Sequence, residues 1–547
     1  MGIPSYFSYI VKNHGHIIKK IQTLNNKANN LYLDSNSIIY DCLRKIKQKN
    51  LSTNEFEEIL IKDICETIDS YVKIIKPDKT LIIAFDGVAP FAKMEQQKNR
   101  RYKSSLDVQI MKHLKIHNKI GWDKTAITPG TKFMKKLNSR VSSYYITKPE
   151  SLGVENIIIS GSNDPGEGEH KIFDFIRNNK KKHADETTFV YGLDADLIML
   201  CLNHLHISEN IYLYRETPEF IKSIDKSLEP NESYVLDIPV LGDILSNTLS
   251  SNDKTNKTNK TNETNKTNNS QKQINRLHDY IFLCFFLGND FMPHFPAVNI
   301  RTTGVDIMLS AYKNTIGKTK NVLTDGNKIY WKQVNKLIQF ISDQEDDSLK
   351  EEYNKRQRWE KRRYVTKTDE EKLYKVSMLP TYNRILEEEI DPFSKNWENR
   401  YYKTLFETDI TGDEKKRICI NYLEGLEWTM KYYTHGCIDW KWSYKYHYPP
   451  LFKDLVKYTP LWETKMLEIK PQEVVHPYVQ LAYVLPKESL YLLPPKIEKF
   501  LLETYKDNYE ITPEIKWSFC KYFWESHVNF SHIDFKDLET NLVPFCG

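Results

Sequence analysis

The chain has eight cysteines, at positions 42, 65, 201, 284, 419, 437, 520 and 546, but no CxxC pair and no zinc-ligand spacing. That excludes a zinc ribbon or finger. With Cys201 and Cys284 inside apolar runs, the set reads as reduced core thiols of an intracellular protein. No run approaches the ~18–20 apolar residues of a membrane span. The start of the chain lacks the charged stretch followed by an apolar one that directs secretion. Met1-Gly2 invites N-myristoylation, but Tyr6 stands where that signal wants Ser or Thr. Charge of one sign is scarce too: a net +5 over 547 residues is too little for a polycation that coats nucleic acid. Any nucleic-acid contact must therefore come from local basic patches. The expectation is a monomeric intracellular protein, cytoplasmic or nuclear, with no membrane partner.

What is present points to a large globular chain. A hydrophobic fraction of 40% and a charged fraction of 28% suit a soluble core with two or more structural units. Aromatics reach 12%, with 34 Tyr, which leaves rings for base stacking once packing needs are met. Up to about residue 245, short apolar runs alternate with helical patterns. Leu31–Leu33, Leu81–Phe85, Ile157–Ser160, Phe189–Gly192 and Ile211–Tyr214 are the strand candidates, and Ser52–Ile75 and Pro165–Asn178 are two of the helical stretches. The alternation predicts an α/β core, a parallel sheet flanked by helices, with its site beyond the carboxyl ends of the strands.

Seven acids fall at or near such ends. Asp34 closes one run and Asp86 another; Glu167 and Glu169 lie in PGEGEH, Asp194 and Asp196 in YGLDADL, and Asp290 in FFLGND. A lone acid after a strand is ordinarily a turn or cap residue. Five such segments in one chain outweigh that reading. Buried like charges repel and resist desolvation, so convergence of these acids makes sense around divalent cations. Hard oxygen donors suit Mg²⁺, with Mn²⁺ as a substitute, the ions of phosphodiester cleavage.

A second constellation follows Asp86. Lys93, Gln97, Arg100 and Arg101 are spaced to share one helical face, where two guanidiniums, an ammonium and an amide would make a phosphate pocket. The alternative is a solvated basic face, and the position directly after a candidate metal-ligand strand favours the pocket.

The rest divides by composition. The first 245 residues and 274–310 form the expected α/β core. Residues 246–273 contain a Thr-Asn-Lys repeat with almost nothing to bury, which predicts a disordered loop. Residues 311–379 read as a charged linker, and within them Gln344 to about Lys372, with KRQRWEKRR, reads as a solvated helix or linker. Residues 380–547 turn rich in Tyr, Trp and Pro, as in YLEGLEWTMKYYTHGCIDWKWSYKYHYPP, and form a second region.

In order, MGIPSYFSYI, NLYLDSNSIIYDC, FDGVAPFAKMEQQKNRRY, PGEGEHKI, YGLDADLIML and FLCFFLGNDFMPHFP resemble the first conserved region of the XRN-type 5′-to-3′ exoribonucleases. Tyr422–Pro450 and Pro477–Pro495 resemble that family's second region. The resemblance covers most of the chain, in a minimal form without further domains, of the kind a virus would carry. It implies a PIN-like, flap-endonuclease-related core with two Mg²⁺ held by Asp34, Asp86, Glu167, Glu169, Asp194, Asp196 and Asp290, and a mostly helical second region packed on it. It implies that Lys93, Gln97, Arg100 and Arg101 bind the 5′-monophosphate of single-stranded RNA, with Asn36 helping near that end. It also implies a first base stacked between two rings. Tyr40 stands where the family has histidine, and Trp440 is the expected partner, with Trp442 in reserve. The implied role is RNA decay that yields nucleoside 5′-monophosphates, in company with an unidentified decapping factor. The rivals are a structure-specific flap endonuclease on DNA and a noncatalytic RNA-binding scaffold. The first wants a glycine-rich hairpin after the last aspartate, where this chain has FMPHFPAVNIR; the second would be expected to have lost metal ligands.

Overall fold

Seven strands form one sheet: β1 (Ile18–Lys19), β2 (Asn30–Asp34), β3 (Thr80–Ala84), β4 (Asn156–Ser160), β5 (Thr188–Tyr191), β6 (Ile211–Glu216) and β7 (Ser233–Asp237). The structure is a computed structural model that describes residues 3, 5–24, 27–46, 51–116, 122–250, 263–407, 411–511 and 513–546, with 263–270 as backbone only. Strand order is β1-β7-β6-β5-β2-β3-β4. The run β6-β5-β2-β3-β4 is parallel, as the alternating pattern predicts. β7 lies antiparallel on β6, and β1 antiparallel on β7, so one edge is mixed. These two are not among the strand candidates of the sequence: β1 has two residues, and β7 runs straight into the helix Ile238–Leu249.

Parallel strands covered on both faces should read as continuous apolar runs. β3 is buried along its whole length and β2 up to Leu33, whereas β4 at the edge is partly exposed. Side chains alternate across β2. Leu31 and Leu33 join a core with the helices α2 (Asn36–Lys45) and α3 (Thr53–Ile75), and Tyr32 joins a core on the other face with α1 (Tyr6–His14). α3 begins with a capping box in which Ser52 and Glu55 satisfy each other's backbone N–H groups. α4 (Phe91–His113) leaves β3 and carries the basic constellation. α5 (Gly168–Asn178) follows β4, and α6 (Asp196–Asn203) follows β5.

The chain order reverses direction across the sheet between β2 and β5, and such a switch point opens a crevice at the carboxyl ends of the two strands. Asp34 ends β2, and Asp194 lies just past β5. The later helices close the crevice from behind. α7 (Glu263–Phe285) leads to Asp290, and α8 (Gly412–Thr434) packs Tyr422, Leu423, Leu426 and Trp428 into the same core as Tyr32. α9 (Pro477–Val484) joins a third cluster with Val88 and Met94 at the base of α4. A small hairpin, Glu514–Lys516 with His527–Asn529, adds strand structure to an otherwise helical second region.

Two stretches differ from expectation. The helix α7 starts at Glu263, within the span expected to be irregular, while residues 251–262 lie outside the described residues. Residues 311–379 are partly packed and partly solvated: the helix Asp369–Ser377 buries no residue, whereas other parts are internal. Trp331, Val334 and Leu337 sit in the main core, and Arg356 is 0% exposed, with its guanidinium on Glu387 at 2.6 Å. A buried ion pair has the composition of a surface one, and only its partner distinguishes them. Among the described residues no helix is long and apolar enough to cross a membrane.

Candidate active site

Five of the seven acids, Asp34, Asp86, Glu167, Glu169 and Asp194, line one cavity of ≈ 200 Å³. Lys93, Gln97, Arg100 and Arg101 line it too, with Asn36 and Tyr40. Asp196 and Asp290 stand behind this wall. Asp196 accepts the Ile3 N–H at 3.2 Å, and Asp290 takes the Lys93 ammonium at 2.7 Å. The strand ends, the first turn of α5 and one face of α4 therefore meet, as their spacing suggests.

Local chemistry explains why they can. Glu167 is the N-cap of α5 and Glu169 lies in its first turn, where free N–H groups and the helix dipole favour negative charge. Gly168 between them is forced by space: a Cβ there would lie 2.6 Å from Asp34 Oδ1 and 3.2 Å from the Ala84 carbonyl. Its N–H donates to Asp86 Oδ1 at 2.8 Å. Asn36 holds Asp86 from the other side, its amide donating to Oδ2 and its carbonyl accepting the Asp86 N–H at 3.2 Å. In this structure Asn36 thus positions an acid. A direct approach to phosphate would have to share that amide.

The electrostatics show how crowded the acids are. Burial, then Asp86, Asp194 and Glu167, push the Asp34 carboxyl well above its ordinary range. Burial, then Glu167 and Asp196, do the same to Glu169. Asp196 is pushed up to about 7 by burial and by Asp290. Lys93 is the counterweight: its ammonium lies between Glu167 and Asp290, and despite burial these carboxylates hold it firmly protonated. Burial raises Asp194 less than nearby positive charge, Lys93 and Arg100 included, lowers it, so it stays ionised. Among the described residues Lys93 is the ammonium that pairs with these carboxylates.

The donor set fits a hard divalent cation. Glu167, Glu169 and His170 each offer a ligand atom, all within 4.8 Å of one another. Glu169 Oε2 is buried without a hydrogen-bond partner among the described residues. Tyr432, from the last turn of α8, donates its hydroxyl to Glu167 Oε1 at 2.7 Å, and its ring stacks on His170 at 3.7 Å. Neither Tyr432 nor His170 stands out in the sequence. His170 follows Glu169 within PGEGEH and carries that one local hint, whereas Tyr432 is one tyrosine among many.

On the cationic side, Arg101 is already engaged with the Ile127 carbonyl at 2.9 Å and the Tyr40 hydroxyl at 3.5 Å. Gln97 Oε1 accepts from Gln480 of α9 at 3.3 Å, so the second region helps hold this face. Burial of the Tyr40 phenol is outweighed by Arg101 and Arg100, which draw its pKa below the ordinary value. Trp440 differs from expectation. It is 9% exposed, its carbonyl accepts the Phe91 N–H at 2.8 Å, and it lines neither this cavity nor the larger cleft behind α4. Trp442 lines the cleft and stacks on Trp428 at 5.2 Å. Trp442 is fixed in the main core, and among the described residues Tyr40 is the aromatic ring that lines the acids' cavity.

Comparison with known proteins divides the chain differently from its composition, placing 274–379 with the second region. Residues 1–217 match the family model described as the XRN 5′-3′ exonuclease N-terminus, and residues 270–385 and 381–545 match the Xrn1 helical domain. The chain is 28% identical to the 5′-3′ exoribonuclease 2 homolog of Drosophila melanogaster, over 100% of this chain and 71% of that protein. It is 27% identical to 5′-3′ exoribonuclease 1 of Saccharomyces cerevisiae, over 100% of this chain and 43% of that protein. With human 5′-3′ exoribonuclease 1 the figures are 28%, 90% and 31%.

Proposed function

The chain belongs to the XRN 5′-3′ exonuclease family and is a 5′-3′ exoribonuclease, a phosphodiester hydrolase; from that premise we propose that it removes nucleoside 5′-monophosphates one at a time from single-stranded RNA bearing a 5′-monophosphate. The observation that carries this reading is the shared cavity, with carboxylates on one wall and the cationic face of α4 on the other.

The 5′-phosphate is received by Arg100, Arg101 and Gln97, while Tyr40 offers its ring to the first base, a contact worth ~1–3 kcal/mol per stacked base. That anchoring lays the first internucleotide phosphate against Asp34, Asp86, Glu167, Glu169 and Asp194. The chemistry that two bound divalent cations, Mg²⁺ or Mn²⁺, supply to such a site is activation of water and stabilisation of the leaving 3′-oxygen. Asp196, Asp290 and Lys93 hold the cluster from behind. A cavity of ≈ 200 Å³ has little room for a cap or a triphosphate beside the first nucleotide. The test is single-stranded RNA labelled at its 5′ end and incubated with Mg²⁺. Labelled mononucleotide should appear from the 5′-monophosphate form alone and cease on chelation. Internal cuts, or cuts only at DNA flaps, would move the assignment to an endonuclease.

Tyr432 supplies a finer check. Tyr432→Phe removes the donor to Glu167 and should raise the half-saturating Mg²⁺ concentration about tenfold, the usual scale for a lost orienting partner. Calorimetric titration of Mn²⁺ into the variant reads the same shift without turnover. An unchanged affinity would mean the hydroxyl does not orient that carboxylate.

A further inference from the structure

Behind α4, on the side away from Gln97 and Arg101, lies a cleft of ≈ 1070 Å³. It is bounded by α4, the segment after Asp290, the stretch around Trp442 and residues 524–536. It is roomy for a small ligand, whose sites usually span about 300–1,000 Å³. Only a layer of side chains separates it from the catalytic cavity. Arg100 lines both spaces, Lys93 lines the smaller, and its ion-pair partner Asp290 lines the larger.

The reaction itself creates a need for such a space. After each cut the product keeps its phosphate on α4 and its base against Tyr40, where the new 5′ end of the shortened strand must come next. The strand can step forward only if the mononucleotide goes elsewhere.

The cleft has the chemistry to take it. Lys103 donates to the carbonyls of Trp524 at 2.7 Å and Ser526 at 2.8 Å, and Lys98, 3% exposed, sits over the rings of Tyr483 at 4.2 Å and Phe530 at 4.6 Å. Neither ammonium has a carboxylate in ion-pair range among the described residues, unlike Lys470, which Asp439 neutralises at 2.7 Å. Buried polar atoms at this wall also lack partners among the described residues: both ends of the Gln96 amide, Asn289 Nδ2 and Ser526 Oγ. Uncompensated cations beside aromatic rings suit a phosphate attached to a base.

We propose that this cleft is the exit chamber for the nucleoside 5′-monophosphate product, with Arg100 passing the phosphate across the partition. The inference rests on the exoribonuclease reading above.

Ser443, in the cleft wall and outside the catalytic cavity, is the place to obstruct it. In Ser443→Trp the first cleavage of a 5′-monophosphorylated RNA, followed by rapid quench, should keep its rate within about twofold, while steady-state release from a long RNA falls about tenfold as product departure becomes limiting. Unchanged steady-state cycling in a folded variant would overturn the proposal. Failure of the wild-type protein to release mononucleotide at all would instead sink the underlying activity. Should the variant not fold, photolabelling of the wild-type protein with 8-azidoadenosine 5′-monophosphate decides. Adducts within 441–447 or 524–536, competed by unmodified adenosine 5′-monophosphate, support the chamber, and adducts confined to the Tyr40 side overturn it. A parallel arm uses a nonhydrolysable RNA with 4-thiouridine at its fourth nucleotide. Crosslinks from that strand into the cleft would make it a path for RNA and likewise overturn the proposal.

Discussion

Asp194→Ala should lower the rate of mononucleotide release by at least about 10²–10³-fold, the scale on which loss of one preorganised charge-stabilising group is felt, and leave RNA binding within about threefold, since the proposed phosphate contacts lie on α4. Asp194 stands just past the end of β5 at the switch point of the sheet, where it faces Asp34 across the cavity. Unlike Asp34 and Glu169, it is kept ionised by surrounding positive charge, although burial opposes this. Like Asp290, it is thus kept in the ionised form that could hold a cation. Removing it would take a proposed metal ligand away while Lys93, Glu167 and Asp290 remain mutually paired, so the fold should persist. Single-turnover cleavage and filter binding on the same preparation separate the two effects. Cleavage at the wild-type rate would remove Asp194 from the site.

Arg100→Ala should erase about 10²-fold of the preference for a 5′-phosphate over a 5′-hydroxyl, as expected when one partner of a desolvated charge contact is truncated. The choice of Arg100 over its neighbour comes from the structure. Arg101 already donates to Ile127 and Tyr40, whereas Arg100 has no hydrogen-bond partner among the described residues and faces the cavity with its charge stabilised by Tyr40, Asp194 and Asp290 against burial. The loss should fall on kcat/KM for the phosphorylated substrate and spare the hydroxylated one. A preference that survives intact would place the phosphate pocket elsewhere.

Much of this site could be read along the chain because of how parallel sheets are built. Apolar runs buried on both faces announce the strands, so an acid that ends such a run is already at the functional edge. Asp34, Asp86 and Asp194 were visible for that reason. The face of α4 was visible because Lys93, Gln97, Arg100 and Arg101 recur at helical spacing. Partners distant in the chain were not. Lys93 meets Asp290 across 197 positions, and Tyr432 meets Glu167 across 265. Composition misleads where charge is buried, as with Arg356 and Glu387, because a solvated helix and a buried ion pair use the same residues.

Periodicity and the placement of acids after apolar runs were sufficient to specify the α/β core, its carboxyl-edge site and the cationic helix, since these depend on backbone geometry that repeats locally. Which carboxylates face the cavity, which ones Lys93 neutralises, and which aromatic ring is free to meet a base depended on how the second region packs against α4 and α5. Contacts between segments hundreds of residues apart leave no period in the sequence, and the strength of a charge is set by its burial and its neighbours.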